Sequence, residues 1–182
     1  AEDGIRDRSP SRGLGDVYKR QQLNALTSTN LQALTTTQTA VLTTAQAATL
    51  TSTQLNLLET SDVAVLSTAA VASLTSTQLN ALSSTNLQAL TTTQNAALTT
   101  AQAANLTSTQ LNLLETSDLA ALNTAAVASL TSTQLNALNS TNLQALTTAQ
   151  AAKLSTAAVA NLTSTQLNLL ETCLLYTSDA AD

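Results

Sequence analysis

Leucine occupies every eighth position from Leu26 through Leu34, Leu42 and Leu50 to Leu170 without a break. With that leucine as position 1, position 2 is Thr, Ser or Asn in nearly every octad, Glu59 and Glu115 being the exceptions before Leu170. Position 5 is most often Gln, as at Gln38, Gln54 and Gln78, and position 6 is most often Leu or Val, as at Leu31, Leu55, Val63 and Leu79. The pattern L-T-x-x-Q-L is a helix-start signal. Thr at position 2 is the N-cap and Gln at position 5 is then N3, which makes a capping box, while the apolar residues at positions 1 and 6 stand at N′ and N4 as a hydrophobic staple. The next leucine follows position 6 by three positions and shares its helical face. Each octad is therefore expected to form a helix of one to two turns followed by a tight reversal.

A single continuous helix does not suit this pattern. Eight residues at about 100° each rotate the leucine stripe by roughly 80° per octad, so no fixed apolar face survives. A β-solenoid is the competing architecture, because Thr and Val favour strands. Against it, positions 1 and 6 have opposite parity and would face opposite sides of a strand. Residues 22–172 also contain no Gly for tight corners. One octad cannot bury its own leucines, so the expected fold is an all-α solenoid of short capped helices, stable by stacking. A longer period overlies the octads: LTSTQLNL begins at Leu50, Leu106 and Leu162, which sets a 56-residue unit of seven octads.

Composition divides the 182-residue chain in three. All three Gly, the single Pro10, both Tyr, the single Cys173 and every Arg lie in 1–21 or 173–182. Segment 22–172 holds only ten residue types, without His, aromatic residues, Cys or Met, and its one Lys153 stands against Glu59, Asp62, Glu115, Asp118 and Glu171. Such a segment offers no basic patch for phosphates, so nucleic acid is not an expected partner. It lacks the uninterrupted apolar run of about 18 residues that marks a spanning helix, hence no membrane span is expected in this fragment.

The two ends resemble translated sequencing adapters. Asp16-Val-Tyr-Lys-Arg-Gln21 can be written GAT GTG TAT AAG AGA CAG, and Cys173-Leu-Leu-Tyr-Thr-Ser178 can be written TGT CTC TTA TAC ACA TCT, the opposite strand of the same transposase end. Ala1-Glu-Asp-Gly-Ile-Arg-Asp7, Ser11-Arg-Gly-Leu-Gly15 and Asp179-Ala-Ala-Asp182 fit the neighbouring adapter segments. The resemblance implies that 1–21 and 173–182 are not native and that the natural protein continues on both sides of 22–172. Cys173 then carries no information about redox compartment, and the cluster Arg6, Arg8, Arg12, Lys19 and Arg20 is no nucleic-acid arm.

The array lacks the residues that catalysis and metal binding usually require. Without His or native Cys there is no imidazole base, thiolate nucleophile or zinc site. No catalytic, cofactor-binding or metal residue is assigned, no cofactor is expected, and the segment is read as non-enzymatic. Glu59 with Asp62 and Glu115 with Asp118 fall short of a calcium loop's ligand set and are read as solvated variant octads. The Thr pairs, such as Thr27 with Thr29, Thr51 with Thr53 and Thr75 with Thr77, resemble the Thr arrays of β-solenoid ice-binding proteins, with capping by the first Thr as the simpler account. Asn105, Asn139 and Asn161 head glycosylation triplets that chance supplies readily in such a composition.

Segment 22–172 resembles the Leu-Thr-Thr-x-Gln octapeptide arrays of very large adhesin-like or haemagglutinin-like bacterial surface proteins. The resemblance implies an extracellular or cell-surface location, a structural or adhesive role as spacer or stalk, and cell-surface or glycan partners engaged through domains outside this fragment. The alternative is a binding module whose solenoid surface itself holds a peptide or glycan.

Overall fold

The computed structural model describes residues 26–179, with backbone only over 172–179. The segment 1–21, assigned to adapter sequence, lies outside the described residues, as do the side chains of 173–182. The described chain forms eighteen helices, from Ser28–Gln32 to Ser164–Asp179, with no strand among them. The short-helix solenoid is thus the observed architecture, and the β-solenoid is not.

Each octad from Leu26 to Leu162 starts its helix where the capping signal places it. Thr107 is extended, its Oγ1 accepts from Gln110 N at 3.2 Å, and its own N–H donates to Gln110 Oε1 at 3.0 Å. Complete boxes of this kind also close at Thr35, Thr43, Thr51, Thr75, Thr91, Thr99, Thr131 and Thr147. Glu59 and Glu115, the N-caps with a carboxylate, make no side-chain cap bond. Thr99→Ala should remove the acceptor for Gln102 N, 3.2 Å away, at a cost of about 1 kcal/mol in urea denaturation, with Thr99→Ser close to wild type.

The reversals use ordinary backbone. A leucine C-cap such as Leu50 (φ −61, ψ 134) or Leu114 (φ −66, ψ 140) is followed by an extended N-cap such as Thr51 (φ −71, ψ 158). No described residue has positive φ. Two extended residues in succession turn the chain between helices, which is why the array has no need of glycine.

Leucines at position 1 and residues at position 6 form one continuous core running from Leu31 to Leu170. Leu79, Leu98, Leu111, Leu119, Leu135 and Leu143 are fully buried. Positions 2 to 4 face outward, as at Thr99, Thr100 and Ala101. Side chains that cross from one coil to the next span 25 to 31 positions of sequence, as in Asn80 to Asn105 and Gln78 to Ala47. The middle of that range, 28 positions, as in Gln78 to Leu50, is three and a half octads per coil. Two coils therefore hold seven octads, and the 56-residue period of the sequence is the shortest that contains whole octads and whole coils.

The last helix departs from the pattern. Ser164–Asp179 runs for 16 residues through the Leu170 octad and into 173–179, where the octad composition has ended.

Candidate functional site

The functional chemistry of the described residues is a lattice of amide side chains between coils. At position 5 the glutamine works at two helix ends. Gln94 Oε1 accepts from Thr91 N at 2.7 Å within its own octad, while Gln94 Nε2 donates to Val63 O at 2.9 Å, Ala64 O at 3.3 Å and Leu66 O at 2.7 Å in the preceding coil. Those carbonyls end the helix Thr60–Val65, where four acceptors of any helix lack an internal partner. Gln102, Gln134 and Gln150 repeat the arrangement onto Val71 and Leu74, Ala103 and Leu106, and Leu119 and Leu122. One side chain thus caps the start of its own helix and the end of the helix below it.

Where position 5 is asparagine, the two tasks are divided. Asn86 Nδ2 reaches Leu55 O at 3.0 Å and Leu58 O at 3.2 Å, but it is one methylene shorter and makes no bond to its own N-cap amide. That amide, Ser83 N, donates instead to Asn56 Oδ1 at 2.7 Å, and Asn56 Nδ2 donates to Ala81 O at 2.6 Å. Asn142, Asn139 and Asn112 reproduce this set seven octads later. Asn80 occupies the same place as Asn56, yet the amide in register with its Oδ1, Thr107 N, is held by Gln110. Asn80 Oδ1 is accordingly buried without a partner.

Asp62 and Asp118 correct an expectation. The sequence reading puts them on a solvated face, but both are buried, at 2% and 6% exposure, while their companions Glu59 and Glu115 are exposed. Position 5 points at the neighbouring coil whatever residue stands there, and the first turn of a helix favours a negative charge. No group of three or more metal-ligating side chains occurs among the described residues.

The other residues singled out by sequence take structural places. Thr27, Thr51 and Thr75 use Oγ1 to accept the backbone N–H of Asn30, Gln54 and Gln78. Asn105 and Asn161 are exposed and donate to Ala101 O and Ala157 O of their own helices. Asn139 is an exposed N-cap that accepts from Asn142 N. Lys153 is exposed. No helix among the described residues is long and apolar enough to cross a membrane.

Two stretches, 55–92 and 111–148, match the model of the ALTTAQ repeat. The matches begin seven octads apart and so fall on successive two-coil units. No curated protein and no solved structure matches the chain. The chain is a repeat segment carrying two ALTTAQ stretches in a helical solenoid.

Proposed function

We propose that 22–172 is a non-enzymatic spacer or stalk segment of a larger adhesin-like protein at the cell surface or secreted from it. The flanks 1–21 and 173–182 are read as translated adapter sequence and given no part in the function. The observation that carries this reading is the glutamine ladder: the same bonds recur from coil to coil, so each added coil contributes length, core and lateral bonding together. The outward positions 2 to 4 carry mostly Thr, Ser and Ala. Such a surface suits a rod that holds another domain at a distance.

The test is solution scattering on chains with zero, one or two additional 56-residue units inserted at Leu58. A spacer gains a constant increment in maximum dimension, roughly 20 Å per two-coil unit at ordinary interhelical spacing, with an unchanged cross-section. Growth in all dimensions at once would refute the spacer reading.

A further inference from the structure

Three of the octads from Leu26 to Leu162 carry neither an amide at position 5 nor a serine at position 8 to close the seam between coils: two have the buried Asp62 and Asp118 at position 5, and the third has alanine there. That alanine is Ala158, where the preceding 56-residue unit has Gln102, and position 8 is Asn161. The other octads with alanine at position 5 close the seam through serine at position 8: Ser73 Oγ donates to Thr44 O at 3.0 Å, and Ser129 Oγ donates to Thr100 O at 3.1 Å. In one of them Asn123 Nδ2 also reaches Leu98 O at 2.7 Å. Ala70 and Ala126 are then fully buried. Asn105 at position 8 folds back onto its own helix, but there Gln102 fills the seam. Asn161 likewise folds back, onto Ala157 O at 2.8 Å, and Ala158 has nothing to reach with.

The result is a cavity of about 350 Å³ lined by Ala128, Leu130 and Ser132 on one coil and Ser155, Ala158 and Asn161 on the next. In register with Gln150, which donates to the carbonyls 31, 30 and 28 positions before it, a glutamine at 158 would serve Val127, Ala128 and Leu130. Among the described residues no side chain of the next coil donates to Ala128 O or Leu130 O. The cavity is therefore lined by Ala128 and Leu130, whose carbonyls a glutamine at 158 would serve, and by Ala158, with room for more than the missing side chain.

We propose that this notch is a binding site for small molecules with a primary carboxamide head, the –NH₂ donating to the carbonyls of Ala128 and Leu130 and a short alkyl tail lying over Ala158. The recognition chemistry is that of the glutamine ladder, with the side chain supplied from solution.

Propionamide is the glutamine side chain cut at Cβ and is the probe of choice, with propionate as the control of equal size that lacks the donor. In ¹⁵N-resolved NMR titrations of the full chain, propionamide should give saturable shifts at the amides of residues 128–132 and 155–161, and propionate should give none there. Ala158→Gln and Ala158→Met, one restoring the ladder and one filling the space with apolar volume, should each abolish the saturable response while retaining the helical melt. Gln102→Ala recreates the same pairing of alanine at position 5 with asparagine at position 8, and should add a second saturable site near Val71 and Leu74. Equal responses to propionamide and propionate, or a response that survives in both position 158 variants, would overturn the assignment.

Discussion

Gln94→Glu is expected to destabilise the array by about 3–5 kcal/mol at neutral pH, the range for a buried charge left without a partner. The residue is 2% exposed, and its Nε2 faces three carbonyl oxygens within 3.3 Å. A carboxylate preserves the capping interaction with Thr91 N, which Glu and Gln at N3 satisfy equally well. What it cannot do is donate. It places negative charge against the negative ends of three peptide dipoles in a site that water does not reach. Gln94→Met, which loses both bonds but adds no charge, should cost less, about 1–3 kcal/mol for unsatisfied buried groups.

The pH response separates these causes. The protonated carboxyl of the Glu variant has an O–H donor for the carbonyls, so the folded state holds that proton more tightly than the unfolded chain does. Stability of the variant relative to wild type is therefore highest in acid and falls as pH rises through the ordinary glutamate range, about 4.3 and upward. Urea melts of wild type and both variants at low and neutral pH give the comparison. A Glu variant no worse than the Met variant at neutral pH would show that the second helix end contributes little.

Leu111→Ala should be comparably severe, about 2–5 kcal/mol, because Leu111 is fully buried at the middle of the stack. The same change at Leu26, which is only partly buried, should cost a fraction of that. In a solenoid each unit touches only its neighbours, so stability sums over local interfaces. Hydrogen exchange on Leu111→Ala should show protection lost in the coils on either side before the outer coils open. Uniform loss along the whole array would argue against local coupling.

The residues that set local structure are legible in the sequence because their partners lie three to five positions away. Thr107 and Gln110 spell a capping box within one octad, and Leu106 with Leu111 spells the staple, so helix starts and the core face follow from spacing alone. The absence of glycine argues against strands; the reason it is dispensable, paired extended residues at reversals such as Leu50 with Thr51, is visible only in the backbone. The second bond of the glutamine is not legible in the spacing. Its acceptors are carbonyls of the preceding coil, such as Val63 O and Leu66 O beneath Gln94. Their place in the sequence is set by how many octads complete a coil, and this depends on small angles at every reversal. The burial of Asp62 and Asp118 escapes sequence reading for the same cause.

The seam bonds also explain which length changes such a gene tolerates. Asn56 must meet Ser83, and Asn112 must meet Asn139, because the asparagine at position 5 cannot reach its own N-cap. Unequal recombination that slips by a single octad moves these acceptors opposite amides that a glutamine already holds, the situation that leaves Asn80 Oδ1 unpartnered. A slip of seven octads returns each such asparagine to an equivalent N-cap amide, as Asn56 with Ser83 and Asn112 with Asn139 show. A change in length by whole seven-octad units therefore keeps this class of seam contact intact, so the unit, not the octad, is the step in which the array can grow.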